Sequence, residues 1–131
     1  MMVRGRCAEG LVAFLLTGCG SQGKAGDPAP VATEGLIVVE MHDGMAFAPE
    51  VVTAVVGDTI VWVNRGDLPH TTTARAEFAP LEKLPSAADS WDSGLMDGGE
   101  EYRIVVRAIG EYRYVCSIHQ AAGMVGRFRV E

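Results

Sequence analysis

The stretch EYRYVCSIHQAAGMVGRFRV, Glu111 to Val130, holds two β-like runs around a short sulfur-bearing loop. Glu111 to Cys116 and Val125 to Val130 are rich in aromatic and β-branched residues, which suit a pleated, half-buried surface. Between them lie a cysteine, a histidine three residues on and a methionine five beyond that: Cys116, His119 and Met124. Gly123 and Gly126 let the backbone curl, so these three side chains can face one point.

The same rhythm of short runs and turns continues through the chain from Leu36. LIVVEM (Leu36 to Met41), VVTAVV (Val51 to Val56), TIVWVN (Thr59 to Asn64), HTTTA (His70 to Ala74) and EYRIVVR (Glu101 to Arg107) read as strands. Alternation in TIVWVN places Ile60, Trp62 and Asn64 on one face and Thr59, Val61 and Val63 on the other. Trp62 and Trp91 are expected in the core, with Met41, Met45 and Met96 as core and turn filler. Asp92-Ser93-Gly94 reads as a turn. The polar segment Arg75 to Ser90 is expected to hold a short helix around Pro80 to Leu84. No helical period of useful length occurs, so roughly seven short strands predict an all-β antiparallel sandwich.

The 131 residues suit one domain plus a tail. With 48% hydrophobic and 21% charged residues a packed core is affordable, and global disorder is excluded. A net charge of -6, with no Lys/Arg run interleaved with aromatics, argues against nucleic acid as a partner.

Residues 1–18 have the layout of a secretory signal: Arg4 and Arg6, then the apolar run Leu11 to Leu16. The run ends in Leu16-Thr17-Gly18-Cys19, which resembles a bacterial lipobox whose cysteine is lipidated and becomes the new N-terminus. Residues 19–34 form a Gly/Pro/Ala tether and residues 35–131 the folded domain. The protein is therefore expected to be exported, periplasmic or at the cell surface, lipid-anchored at Cys19 and monomeric. In such a compartment Cys116 stands alone, which suggests pairing between molecules, a buried inert thiol or a metal ligand.

Thiolate, imidazole and thioether together suit copper, in a trigonal site of two histidines and one cysteine with a weak axial methionine. A second histidine is needed. His70 begins a β-run after the stiff Leu68-Pro69 pair, which can aim its ring, whereas His42 lies in a turn beside Asp43-Gly44 and reads as a surface residue. The expected metal ligands are His70, Cys116, His119 and Met124. Structural zinc does not use methionine, and a c-type haem needs C-x-x-C-H, which is absent.

These residues carry a resemblance. Gly57 to Asn64, His70-Thr71, Asp92-Ser93-Gly94, Gly110 to His119 and Met124, with Phe47-Ala48-Pro49, resemble the cupredoxins, or type 1 blue copper proteins. The likeness covers about residues 36–131 and lies in the plastocyanin, pseudoazurin and amicyanin-like branch. It implies a Greek-key β-sandwich of about seven to eight strands, with one copper near one end. It also implies transfer of single electrons by Cu(II)/Cu(I) cycling, with the ring edge of His119 as the electron exit. The implied partners are redox proteins such as a cytochrome or a copper enzyme, met transiently. A copper-binding or delivery lipoprotein is the alternative. An enzyme is not expected, because with His70 and His119 used only the remote His42 is left, too few for a second metal centre. Two positions depart from the family: Thr71 stands where Asn is common, and Ile118 where Pro is frequent. In the family Asn there normally helps tie the two ligand loops, so the tie is expected to be weaker or differently made in this chain.

Overall fold

The computed structural model describes residues 35–131, and the signal, lipobox and tether assigned to residues 1–34 lie outside the described residues. Nine strands are formed among them: β1 (Leu36–His42), β2 (Ala46–Ala48), β3 (Val51–Ala54), β4 (Thr59–Asn64), β5 (Thr73–Ala74), β6 (Trp91–Asp92), β7 (Glu101–Val105), β8 (Gly110–Val115) and β9 (Val125–Val130). One sheet runs β2-β1-β4-β7 and the other β3-β9-β8-β5-β6. The sandwich expected from the pattern, and the Greek key that the resemblance implies, are present. Both sheets are mixed rather than purely antiparallel, because β1 pairs with β4, and β3 with β9, in parallel. Side-chain alternation is the same for either strand direction, so the pattern could not reveal this.

Strand β4 is central to its sheet, and Ile60, Trp62 and Asn64 face inward as the alternation predicts. Val61 and Val63, on the outer face, are buried as well. Their cross-strand neighbours include Glu40, Glu101 and Arg103, and the Arg65–Glu40 and Arg103–Glu101 ion pairs lie along that face. Long charged side chains cover apolar surface with their stems while their heads stay in water.

The core between the sheets is aromatic. Trp62 meets the Tyr114 ring edge-on at 5.1 Å and lies 5.5 Å from Trp91, while Tyr112 stacks on Phe128 at 4.4 Å. Gly126 faces Tyr114 in the β8/β9 register, and a Cβ there would collide with the Tyr114 ring and hydroxyl. A glycine in this strand lets the tyrosine lie across its neighbour's backbone. Met41 and Met96 are buried, and Met45 sits in the turn after β1, as expected.

Two local expectations differ. The segment around Pro80 to Leu84 is not helical; a 3₁₀ turn occupies Ala76–Phe78 instead. Lys83 exchanges both backbone hydrogen bonds with Arg113 of β8, and Pro85 disfavours helical backbone at Leu84. Pairing with the sheet wins over a single helical turn, which is too short to be stable alone. The run His70 to Ala74 is a strand only at Thr73–Ala74, preceded by a single bridge from His70 to Met96.

Candidate metal centre

The loop from β8 to β9 is closed by its own backbone. His119 N–H donates to the Cys116 carbonyl at 3.1 Å, Met124 N–H to the His119 carbonyl at 3.3 Å, and Cys116 N–H to the Met124 carbonyl at 3.0 Å. A 3₁₀ turn at Gln120–Ala122 ends at Gly123, whose φ of 86° is a left-handed conformation open to glycine at little cost. The curl brings Cys116 and His119 together and joins the Met124 backbone to both, with Cys116 and Met124 fully buried and His119 partly exposed.

His70 arrives on the other loop. Asn64, at the end of β4, is fully buried and has every side-chain bond engaged. Its amide donates to the carbonyls of Leu68 and Met96 at 2.8 and 2.9 Å, and its oxygen accepts from Gly66 N–H at 2.9 Å. Asp43 adds to the same loop, accepting from the N–H groups of Asp67 and Leu68. These bonds clamp residues 65–69, and the His70–Met96 backbone pair fixes the residue that follows.

His70 Nδ1 lies 3.2 Å from His119 Nδ1, and the Cys116 sulfur is 3.4 Å from His119 Nδ1 and 4.0 Å from His70 Nδ1. Two imidazole nitrogens and a thiol sulfur thus converge within 4.8 Å. Burial pushes the His70 pKa below the usual histidine value, and the neighbouring His119 adds to that; Asp43 and the His42 backbone oppose it. A neutral imidazole keeps the lone pair that a metal needs. The His42 side chain is half-exposed beside Glu40 at 3.2 Å and is not one of the three clustered donors, although its backbone lies against His70.

The two loops are tied by Thr71. Its N–H donates to the Cys116 sulfur at 3.3 Å, a bond that suits a thiolate. Its hydroxyl oxygen accepts from Ser117 N–H at 2.8 Å and donates to Ser117 Oγ at 3.0 Å. The tie that the departure from Asn called for is therefore made by a threonine hydroxyl. Ile118 directs a half-exposed side chain to the surface next to His119. Asn64 and Asp92 had been read only for their place in a strand and a turn. The signal for Asn64 was a polar residue on the inward face of a central strand, which must be fully bonded to be buried.

Residues 33–131 match the family of copper binding proteins described as plastocyanin/azurin. The chain is 36% identical over 87 residues to the chloroplastic plastocyanin of Tetradesmus obliquus, covering 66% of this chain and 59% of that one. It is 34% identical over 88 residues to the chloroplastic plastocyanin of Pisum sativum, covering 66% and 52%. The chain thus spans little more than half the length of these curated relatives. Among solved structures, a pseudoazurin from Sinorhizobium meliltoi superposes with a TM-score of 0.63 at 26% identity, covering 74% of each chain. The fold and the clustered site define a cupredoxin. The chain belongs to the copper-binding plastocyanin/azurin family, and its cofactor is copper. The donor set fits that metal, since two imidazoles and one thiolate beside a buried methionine suit copper better than any hard cation.

Proposed function

We propose that this chain is a type 1 copper electron carrier, in which His70, Cys116 and His119 would hold the metal and Met124 would add a weak thioether donor. The observation that carries the reading is the convergence of His70 Nδ1, Cys116 Sγ and His119 Nδ1 in a largely buried pocket. Copper there would supply a one-electron Cu(II)/Cu(I) couple, with thiolate donation and the axial ligand setting its potential. The protein's task is to hold the donors still. Asn64 clamps the His70 loop, Thr71 joins it to the Cys116 loop, and the Cys116–Met124 backbone bond closes the second loop. A scaffold that changes little between oxidation states needs little reorganisation when the electron moves.

Of the ligands, His119 alone reaches solvent, so its ring edge is the proposed passage for the electron to a redox protein docked transiently. Burial of His70, Cys116 and Met124 supports a carrier over a copper donor, because a receiving protein's ligands could not reach them without opening the loops. The proposed setting is exported, with Cys19 lipidated and the chain monomeric. The test is voltammetry of protein loaded with one equivalent of copper. A reversible one-electron wave is expected; rapid loss of Cu(I) to a chelator without such a wave would leave the delivery reading in its place.

A further inference from the structure

The hydroxyl that ties the ligand loops is itself backed by a chain of hydrogen bonds. Thr71 and Thr73 are two residues apart on extended backbone, so their side chains share a face, and their Oγ1 atoms lie 2.9 Å apart. Thr73 Oγ1 donates to Asp92 Oδ1 at 3.2 Å. Both threonines are buried, whereas Asp92 is the exposed end of the series. There Oδ1 also accepts from Gly94 N–H at 2.9 Å, and Oδ2 accepts from the Arg75 guanidinium at 3.2 Å.

Proton direction along this series follows from chemistry. An ionised carboxylate only accepts, so the Thr73 proton is committed to Asp92. Thr73 Oγ1 can then only accept across the 2.9 Å contact, so it competes with Ser117 Oγ for the single Thr71 hydroxyl proton. Thr71 Oγ1 keeps its lone pairs for the Ser117 N–H, in the peptide next to the Cys116 ligand. Without the carboxylate's charge, Thr73 O–H can turn to Thr71 Oγ1 and reverse the bond between them. Thr71 Oγ1 then divides its two lone pairs between Thr73 O–H and the Ser117 N–H and is no longer polarised toward the latter. Hydrogen bonds in series polarise one another, and a charged terminus strengthens the whole row. We propose that Asp92 is a positioning residue for the copper centre, acting through Thr73 and Thr71 to hold the Cys116–Ser117 peptide.

This rests on the copper reading above, and its test separates the two. Full-length Asp92→Asn, Thr73→Val, Thr73→Ser and the Asp92→Asn/Thr73→Val double variant are compared with wild type. Two readouts are used: hydrogen exchange at the Ser117 amide in copper-free protein, and reduction potential in copper-loaded protein. Asp92→Asn and Thr73→Val should each speed Ser117 exchange several-fold while the Trp62 amide in β4 is unchanged. Each should also shift the potential, Thr73→Ser should restore both values, and Asp92→Asn should add nothing on top of Thr73→Val. A potential shift from Asp92→Asn that persists undiminished in the Thr73→Val background would show a charge acting through space and overturn the relay. So would equal acceleration at Ser117 and Trp62, which marks a uniformly weakened fold. Wild type without a redox wave would overturn the copper reading, and with it the tuning role; the exchange data would still decide whether Asp92 holds the loop.

Discussion

Cys116 N–H donates to the Met124 carbonyl at 3.0 Å, so the ligand loop is closed by a backbone bond between its first and last site residues. Geometry of the loop is thereby set before any metal arrives. The second loop is joined to it by Thr71, across 46 residues of chain.

Removing that joint has a measurable cost. Thr71→Ala leaves Ser117 N–H without its acceptor in a partly buried place, a loss of roughly 1–3 kcal/mol. Chemical denaturation of the copper-free protein should show it, and Thr71→Ser, which keeps the hydroxyl, should recover most of it. Equal loss in both variants would mean that the methyl group, not the hydroxyl, is what matters.

Asn64→Ala should be costlier. The carbonyl of Leu68 and the N–H of Gly66 lose their partner in partly buried places, and the Met96 carbonyl keeps only its bond from His70 N–H. Stability should fall by about 2–3 kcal/mol, since each of the two orphaned groups costs on the order of 1 kcal/mol or more. Because the clamp holds the loop leading to His70, copper affinity should fall in parallel. A variant with unchanged denaturation midpoint would remove Asn64 from this role.

Gly126→Ala tests the packing of the core against β9. The new methyl would enter the space of the Tyr114 ring, which is hemmed in by Phe47, Trp62 and Phe128. Overpacking of this kind costs roughly 1–3 kcal/mol. A thermal melt that does not move would show that the ring has room to shift.

Alkaline pH should destabilise the fold through the buried tyrosines. Burial raises the pKa of Tyr114 well above the ordinary phenol value and also raises that of Tyr112, whose hydroxyl donates to the Ala108 carbonyl at 2.7 Å. The native state therefore keeps protons that the unfolded chain releases above about pH 10. Stability is full below that pH and falls as pH rises through and beyond it. Denaturation midpoints measured from pH 8 to 11 should stay level and then drop. Phenolate absorbance from these two rings should appear only with unfolding, and early ionisation in the native protein would contradict their burial.

Much of this architecture was legible in the chain. Alternation in TIVWVN assigned its inward face, and the spacing of Cys116, His119 and Met124 located the site, because those signals are local. The partner histidine was reachable through chemistry: copper needs a second imidazole, and His70 had the stiffer approach. What escaped the pattern was non-local. The strands Ala46–Ala48 and Trp91–Asp92 are too short to show a period, and their pairing depends on neighbours far along the chain. Asp92 looked like a turn residue, and it is one, accepting from Gly94 N–H; its bond to Thr73 arises only when β5 and β6 lie side by side. Likewise, no composition rule could assign the Thr71 hydroxyl to Ser117.

The most direct test of the whole reading is the visible spectrum of copper(II)-loaded protein, wild type against Cys116→Ser. Wild type should carry an intense blue thiolate-to-copper band, and the serine variant, which lacks the thiolate, should lose it while keeping the fold. A Cys116→Ser protein that remains blue, or a correctly folded, copper-loaded wild type that never turns blue, would contradict the assignment of Cys116 as the copper ligand.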